Sequence, residues 1–308
     1  MHLDLVWLIY RVDSENALRE ANRCEVELKE LGIQVAKFKS LSSSITFSQL
    51  LNNQEQLPNF VVVLGGDGTV LNAASHFGVH KIPVLSFNVG GNLGFLTHDR
   101  ILLKSKNVWE RIINNDYSIA KRMMLEANTR MAIEEDSDVN INKKLINYPA
   151  LNDFYFRAYE DDLSPTCTLE LEIDGEIVDQ YKGDGLIIST PTGSTGYSMN
   201  TGGSILHPDL EAIIISPICP ISLSCRTLIV PASSKLTIKP IGNKNRKIKL
   251  WKDGRSFGLL NQGDSCFIHK ASHSANMIIL DKSSSYYRTL TEKLHWAGSI
   301  KKSQLSSS

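Results

Sequence analysis

Apolar and polar positions along the first third of the chain alternate between two rhythms. Leu5–Ile9 is an unbroken apolar run, the pattern of a strand buried on both faces. Asp13 and Ser14 can cap a helix, and Ala17, Ala21, Cys24, Leu28 and Leu31 then recur at helical spacing until Gly32 ends the pattern. Ile33–Phe38 reads as a second strand and Val61–Leu64 as a third, which runs into Gly65-Gly66-Asp67-Gly68-Thr69. A helix is expected over Val70–Phe77 and a further strand over Ile82–Phe87. This order of elements predicts a parallel sheet with helices on its faces.

Beyond about residue 120 the rhythm shortens. Leu169–Ile173 alternates with period two, meets a turn at Asp174-Gly175 and continues in Glu176–Val178, which is a hairpin signature. Strand-like runs follow at 185–189, 235–239, 247–251 and 265–269, with Asp253-Gly254 as a second hairpin turn. The second half therefore reads as mostly antiparallel β. The tail returns to helix, with Tyr287, Leu290 and Leu294 on one face.

Length and charge narrow the function classes. The 308 residues suffice for two ordinary domains. Lys+Arg and Asp+Glu are 33 each, so the chain has no overall field to hold a polyanion, and neither nucleic acid nor a membrane surface is expected as a partner. The five cysteines form no CxxC pair and read as free thiols in a reducing cytoplasm. Residues 1–10 are apolar but short and carry Asp4, so they read as a first strand rather than a signal peptide.

Two segments carry candidate chemistry. In Gly65-Gly66-Asp67-Gly68-Thr69, three glycines between a buried strand and a helix bring backbone N–H groups and a helix N-terminus up to an anion such as phosphate. Without a Lys-Ser/Thr pair this is not a Walker A loop. Two readings stand: Asp67 or Thr69 caps the helix, or Asp67 serves the chemistry, because a carboxylate among phosphates is useful only if it holds a metal or takes a proton. The second segment, Asp184–Gly203, ends a strand in a run of hydroxyls and glycines around Tyr197. Such a run suits a polar heterocyclic ligand such as a nucleotide; its alternative is a flexible Ser/Gly linker, which Pro191, Tyr197 and Met199 interrupt.

Taken together, Gly65–Thr69, Asn152-Asp153 and Asp184–Gly203 resemble the NAD kinase family, in its ATP-dependent bacterial and cyanobacterial form. Phe87–Leu96, Pro217–Arg226 and the Asp253-Gly254 turn agree with it. The glycine-aspartate loop alone is shared with diacylglycerol-type lipid kinases, whereas the run from Thr190 to Gly203 is discriminating. A dinucleotide sensor without catalysis is the contrasting possibility, and Asp67 argues against it.

The resemblance implies an α/β, Rossmann-like N-terminal domain over residues 1–118, completed by a C-terminal helix over 284–298 that returns to it. A mostly-β, sandwich-like domain over 119–283 would bind the dinucleotide. It implies that Asp67 is the base or orienter for the ribose 2′-hydroxyl, that Gly68 touches NAD, and that Gly65, Gly66, Gly68 and Thr69 form the phosphate-donor loop. Asn152, Asp153, Lys182 and Asp184 match further NAD-binding positions, as do Thr192, Thr195, Gly196, Tyr197, Ser198, Met199 and Asn200, with Tyr197 stacking on adenine. Gly196 stands where alanine is frequent, Asn200 where serine is, and Ile221 where histidine is. ATP and NAD are the implied substrates, Mg²⁺ arrives with ATP rather than in a protein cage, and a homodimer or homotetramer is expected.

Other features invite blander readings. His76/His80 and His269/His273 have i, i+4 spacing but no evident third ligand, so no metal is assigned to side chains. Cys219 and Cys225 read as small buried packing groups.

Overall fold

The structure, a computed structural model, describes residues 3–40, 51, 56–90, 94–105, 107–131, 147–159, 166–242, 246–280 and 286–294. Strand β1 (Leu5–Arg11) pairs in parallel with β2 (Gln34–Ser40) and β3 (Phe60–Leu64), and β3 with β4 (Val84–Asn88), in the order β2-β1-β3-β4. Because side chains alternate across a strand, β1 feeds two cores. Val6 and Leu8 join Ala17, Ala21, Cys24 and Leu28 of the Glu15–Glu30 helix on one face. Trp7 and Ile9 join Val70, Ala73, Ala74 and Phe77 of the Asp67–Phe77 helix on the other. The first helix begins at Ser14, whose Oγ accepts from the Ala17 amide at 3.2 Å. The second begins at Asp67, three residues ahead of its expected start.

A two-residue strand β5 (His98–Asp99) pairs with β4, and two short helices, Arg100–Lys104 and Val108–Ile113, lead out of this region. The β-rich half follows as β6 (Ser118–Arg130), β7 (Tyr148–Ala150), β8 (Asp153–Ala158), β9 (Cys167–Ile173), β10 (Glu176–Gly183), β11 (Gly185–Ser189) and β12 (Ala212–Ile218). It ends in β13 (Leu228–Pro231), β14 (Leu236–Ile241), β15 (Ile248–Lys252), β16 (Arg255–Leu260) and β17 (Ser265–Ile279). Both expected hairpins are present. At each turn an Asp-Gly pair takes positive φ, 52° and 90° at Asp174-Gly175 and 46° and 79° at Asp253-Gly254, the backbone that matches the twist of a two-residue hairpin.

The antiparallel sheet β13-β12-β11-β8-β15-β16 faces β9, β14, β6 and β17 across a shared core of Phe154, Phe156, Ile188, Ile215, Leu171, Ile238 and Ile268. The second sheet is not confined to its own half. β17 pairs with β6 along nearly its whole length, and past an irregularity between Lys270 and Ser274 its Met277 pairs in parallel with Val84 of β4. One continuous sheet thus runs through both halves, across the division expected near residue 118. The C-terminal helix is described over Tyr286–Leu294. Its Leu290 is buried as expected, but Tyr287 is exposed, and Tyr286 turns inward to place its ring edge-on to His207 at 4.9 Å.

Candidate active site

At the end of β3, Gly65 donates to the Phe87 carbonyl at 3.0 Å, and Gly66, in extended backbone, becomes the N-cap of the Asp67–Phe77 helix. No side chain caps that helix. The Asp67 carboxylate instead reaches across to residues 94–97, where Oδ2 accepts from the Phe95 amide at 2.7 Å and Oδ1 from the Leu96 amide at 3.1 Å. The capping reading of Asp67 is therefore overturned: the carboxylate straps two segments together at the mouth of the glycine loop. Gly65, Gly66 and Gly68 do not use the left-handed backbone that glycine permits. Gly65 is required by proximity, since a Cβ there would lie 2.6 Å from Thr69 Oγ1. Gly66 and Gly68 face open space, which leaves their backbone approachable.

The second segment wraps around Asn152. Its carbonyl accepts from the Thr190 amide at 2.8 Å and the Ser189 hydroxyl at 3.2 Å, and Thr190 Oγ1 donates to the Leu151 carbonyl at 2.6 Å. Gly193 sits so close that a Cβ would be 2.3 Å from the Asn152 carbonyl oxygen. A Cβ on Gly196 would stand 3.1 Å from the Gly193 oxygen, 3.3 Å from Asn152 Nδ2 and 3.9 Å from Asp153 Oδ2. Asn152, Asp153 and Gly196 therefore converge. Asn152 Oδ1 and Thr192 Oγ1 are buried and find no hydrogen-bond partner among the described residues. Buried polar atoms without partners are rare, and these two mark residues suited to a polar ligand. Leu151, next in the chain, shares a buried cluster with Val70 of the Asp67 helix.

Asp253 holds the segment from below. Its Oδ2 accepts from the Leu151 amide at 2.9 Å, and Oδ1 from Asn152 at 2.7 Å and Asp153 at 3.2 Å, while its own amide donates to the Asp153 carbonyl. Burial, reinforced by the adjacent Asp253 carboxylate, pushes the Asp153 carboxyl up to about 8, which favours its protonated form. Beside this pair Tyr197 meets Tyr155 edge-to-face at 5.0 Å, and Tyr155 stacks on Trp251 at 5.5 Å.

The remaining anticipated positions divide. Thr195 reaches back to the Thr192 carbonyl at a long 3.4 Å, and Met199 and Asn200 lie on the short Tyr197–Asn200 helix. Ser198 is wholly buried, with its hydroxyl bonded to Ser216 at 2.9 Å. Lys182 and Asp184 are tied to the turn after β12: the Lys182 carbonyl accepts from Ile221, and the Asp184 amide donates to Ile218. They stand at the opposite end of β11 from Thr190, roughly 20 Å or more away along the strand, and the structure does not bring them to the Asn152 cluster.

Three participants were not singled out from the sequence as site residues: Gly94, Tyr155 and Lys293. A Cβ on Gly94 would collide with Asp67, and Lys293 of the C-terminal helix sets Nζ 4.3 Å from the centre of the Phe95 ring. Burial lowers the Lys293 ammonium, with the Asp67 charge opposing that shift. The motif containing Gly94 and Phe95 was the available signal for the first; nothing local marks the other two.

The histidine pairs have other occupations. His76 Nδ1 lies 2.7 Å from the Asn72 carbonyl, with burial drawing its value down to about 4, and His269 Nδ1 faces the Glu126 carbonyl. Among the described residues no group of three or more His, Cys, Asp or Glu side chains could hold a metal ion. Cys225 is buried, whereas Cys219 is exposed, at φ 44°, and so is not the buried packing group expected. No helix among the described residues is long and apolar enough to cross a membrane.

Comparison with known proteins gives a consistent picture. Residues 6–117 match the model of the ATP-NAD kinase N-terminal domain, and residues 156–280 that of the ATP-NAD kinase C-terminal domain. The chain is 54% identical over 312 residues to NAD kinase 1 of Parasynechococcus marenigrum, covering 99% of both. It is 54% identical over 301 residues to NAD kinase 1 of Prochlorococcus marinus, covering 97% of both. Among solved structures, a yeast NADH kinase complexed with NADH superposes with a TM-score of 0.80 at 26% identity, covering 98% of this chain and 90% of that one. An NAD kinase from Archaeoglobus fulgidus in complex with ATP shares the fold, with a TM-score of 0.67 at 21% identity over 94% of this chain and 98% of that one.

Proposed function

The chain belongs to the ATP-NAD kinase family, and from that premise we propose how its residues divide the phosphorylation of NAD to NADP. The reaction moves the terminal phosphoryl group of ATP onto the 2′-hydroxyl of the adenosine ribose. A secondary alcohol is a poor nucleophile, so its proton must be accepted or oriented as the new P–O bond forms. Asp67 takes that role. It is the carboxylate at the glycine loop, and the Phe95 and Leu96 amides fix its direction. Gly65, Gly66, Gly68 and Thr69 receive the donor phosphates at the helix N-terminus.

The dinucleotide lies along the second segment. Asn152 Oδ1 and Thr192 Oγ1, buried and unmatched among the described residues, are the single observation that carries this placement. They are suited to the hydroxyls and ring edges of an adenosine. Protonated Asp153 supplies a donor beside them, and Tyr197, braced by Tyr155, offers its ring to the adenine. Lys182 and Asp184 retain a role in NAD binding within this proposal, as do Gly196, Ser198, Met199 and Asn200. A diacylglycerol-type lipid kinase would need an apolar acceptor site in place of this polar one.

A divalent cation suits the site as a companion of ATP. The donor set is a single carboxylate whose two oxygens each already accept an amide, which matches magnesium's preference for waters and substrate phosphates over a protein cage. When bound with ATP it spreads the negative charge of the transferring group. Five unpaired thiols suit a reducing cytoplasm, and a homodimer or homotetramer completes the proposal. Purified protein with ATP, Mg²⁺ and NAD should form NADP, and a monomeric mass by light scattering would count against the oligomer.

A further inference from the structure

The 94–97 segment that straps Asp67 also walls an open cavity of about 600 Å³, lined besides by β6, β17, residues 207–209 and the C-terminal helix. The cavity is apolar along Phe95, Leu96, Ile101 and Met277, yet Arg122 of β6 lines it too. The Arg122 side chain is only 16% exposed, and its Nε and Nη1 are buried with no hydrogen-bond partner among the described residues. The nearest carboxylate oxygen belongs to Asp209, 3.8 Å from Nη1 and too far for a hydrogen bond, on a side chain that is 71% exposed. A guanidinium held away from water needs its N–H groups matched, and among the described residues Nε and Nη1 meet only this loose ion pair.

His207 stands at the same wall. Its Nδ1 lies 3.3 Å from the Asp209 amide nitrogen and 3.6 Å from Asp209 Oδ2. The three carboxylates around the cavity, Asp99, Asp209 and Glu292, sit at exposed positions, and Asp99 Oδ1 is engaged by the Ile101 amide. Positive charge is thus buried and negative charge is at the rim.

We infer that this cavity is a binding site for a small amphipathic anion, a single phosphate or carboxylate on an apolar body, separate from the NAD and ATP sites. The Arg122 guanidinium can pair with either acid once its buried N–H groups turn toward the cavity, and the apolar walls accept the body. Because Phe95 and Leu96 line the cavity and also hold Asp67, occupancy bears directly on the reacting carboxylate.

Phenyl phosphate and benzoate are suitable probes, with phenol as the neutral control, followed by thermal unfolding of the full chain in saturating NAD and ADP. Each acid that fits should raise the melting temperature saturably, by about 3 °C or more at tenfold its Kd, and phenol should not. Comparing the two acids identifies the preferred headgroup. Arg122→Met should abolish the shift while melting no lower than the parent, since it removes an uncompensated buried charge. Ala120→Leu, which narrows the same cavity without touching the guanidinium, should weaken the shift and serves if the first variant does not fold. No shift with either acid, a shift that NAD and ADP suppress, or one that survives in both variants would each overturn the assignment.

Discussion

Gly94 and Asp67 leave no room for one another to grow: a Cβ on Gly94 would stand 1.6 Å from Asp67 Oδ1 and 2.3 Å from its Cγ. The glycine is therefore part of the carboxylate's seat. Gly94→Ala should push the carboxylate aside while leaving its chemistry intact, and a misplacement of about 1 Å can cost roughly 10²-fold in rate. We expect kcat to fall by that order with NAD affinity nearly unchanged. A kcat within a factor of two of the parent would show that Asp67 need not stand where it does.

Asp67→Asn is less innocent than its shape suggests. Both carboxylate oxygens accept amides, from Phe95 and Leu96, so an asparagine must turn its NH₂ group toward one of these donors. One hydrogen bond is lost, costing about 1–3 kcal/mol of stability. Loss of a general base should lower kcat by roughly 10²–10⁴-fold besides. A purely structural Asp67 predicts a lower melting temperature with kcat preserved at a temperature where the variant is folded. Measuring both on one preparation separates the roles.

The relationships that matter most here were the least legible in the sequence. Alternation and an Asp-Gly pair announced the 169–178 hairpin, because the signal for a strand and its turn lies within a dozen residues. Of the second hairpin the turn and its first strand were legible, but the returning strand Arg255–Leu260 was not. Asp253 was visible only as a turn residue, since the amides it holds are about 100 positions away. The length of β17 was hidden for a different reason: its register shifts between Lys270 and Ser274, which breaks the period-two pattern. The run of glycines points to a close approach of backbone to an anion, whereas what Gly65 itself provides is clearance for Thr69.

Asp153 makes stability depend on pH with a sign opposite to that of most carboxylates. Burial first, and the Asp253 carboxylate second, raise it from 3.8 to about 8, so the folded chain binds this proton more tightly than the unfolded one. Its contribution is most favourable below 3.8 and declines as pH rises toward 8, beyond which the loss is complete. In Asp153→Asn this decline is absent. The difference in melting temperature between variant and parent should shift in the variant's favour from about pH 5 to about pH 8. A difference independent of pH would mean that Asp153 is ionised throughout.

Tyr197 meets Tyr155 only edge-on at 5.0 Å, which leaves a ring face for a base. Tyr197→Ala should weaken NAD binding by about 1–3 kcal/mol, the range for aromatic–base stacking. The KM for ATP should move far less. Equal losses for both substrates would mark the tyrosine as a prop for the 190–203 segment.

Lys293 gives the returning helix a reason to be part of the site. Its ammonium lies 4.3 Å from the centre of the Phe95 ring, in partial burial that lowers its value, and it feels the Asp67 charge. The amide of that same Phe95 donates to Asp67 Oδ2 at 2.7 Å, so the lysine steadies the strap from its other side. A cation over an aromatic ring is worth about 0.5–2 kcal/mol, and losing it from the strap should lower kcat by about 2- to 30-fold. Lys293→Met keeps the length and apolar stem of the side chain and removes the charge, so the Leu290 anchor of the helix is undisturbed. Lys293→Arg, which keeps a cation able to stack on the ring, should recover most of the rate. If the methionine variant matches the parent in kcat, or if arginine fails to restore a rate that methionine lowers, the contact between this helix and Phe95 has no part in holding Asp67.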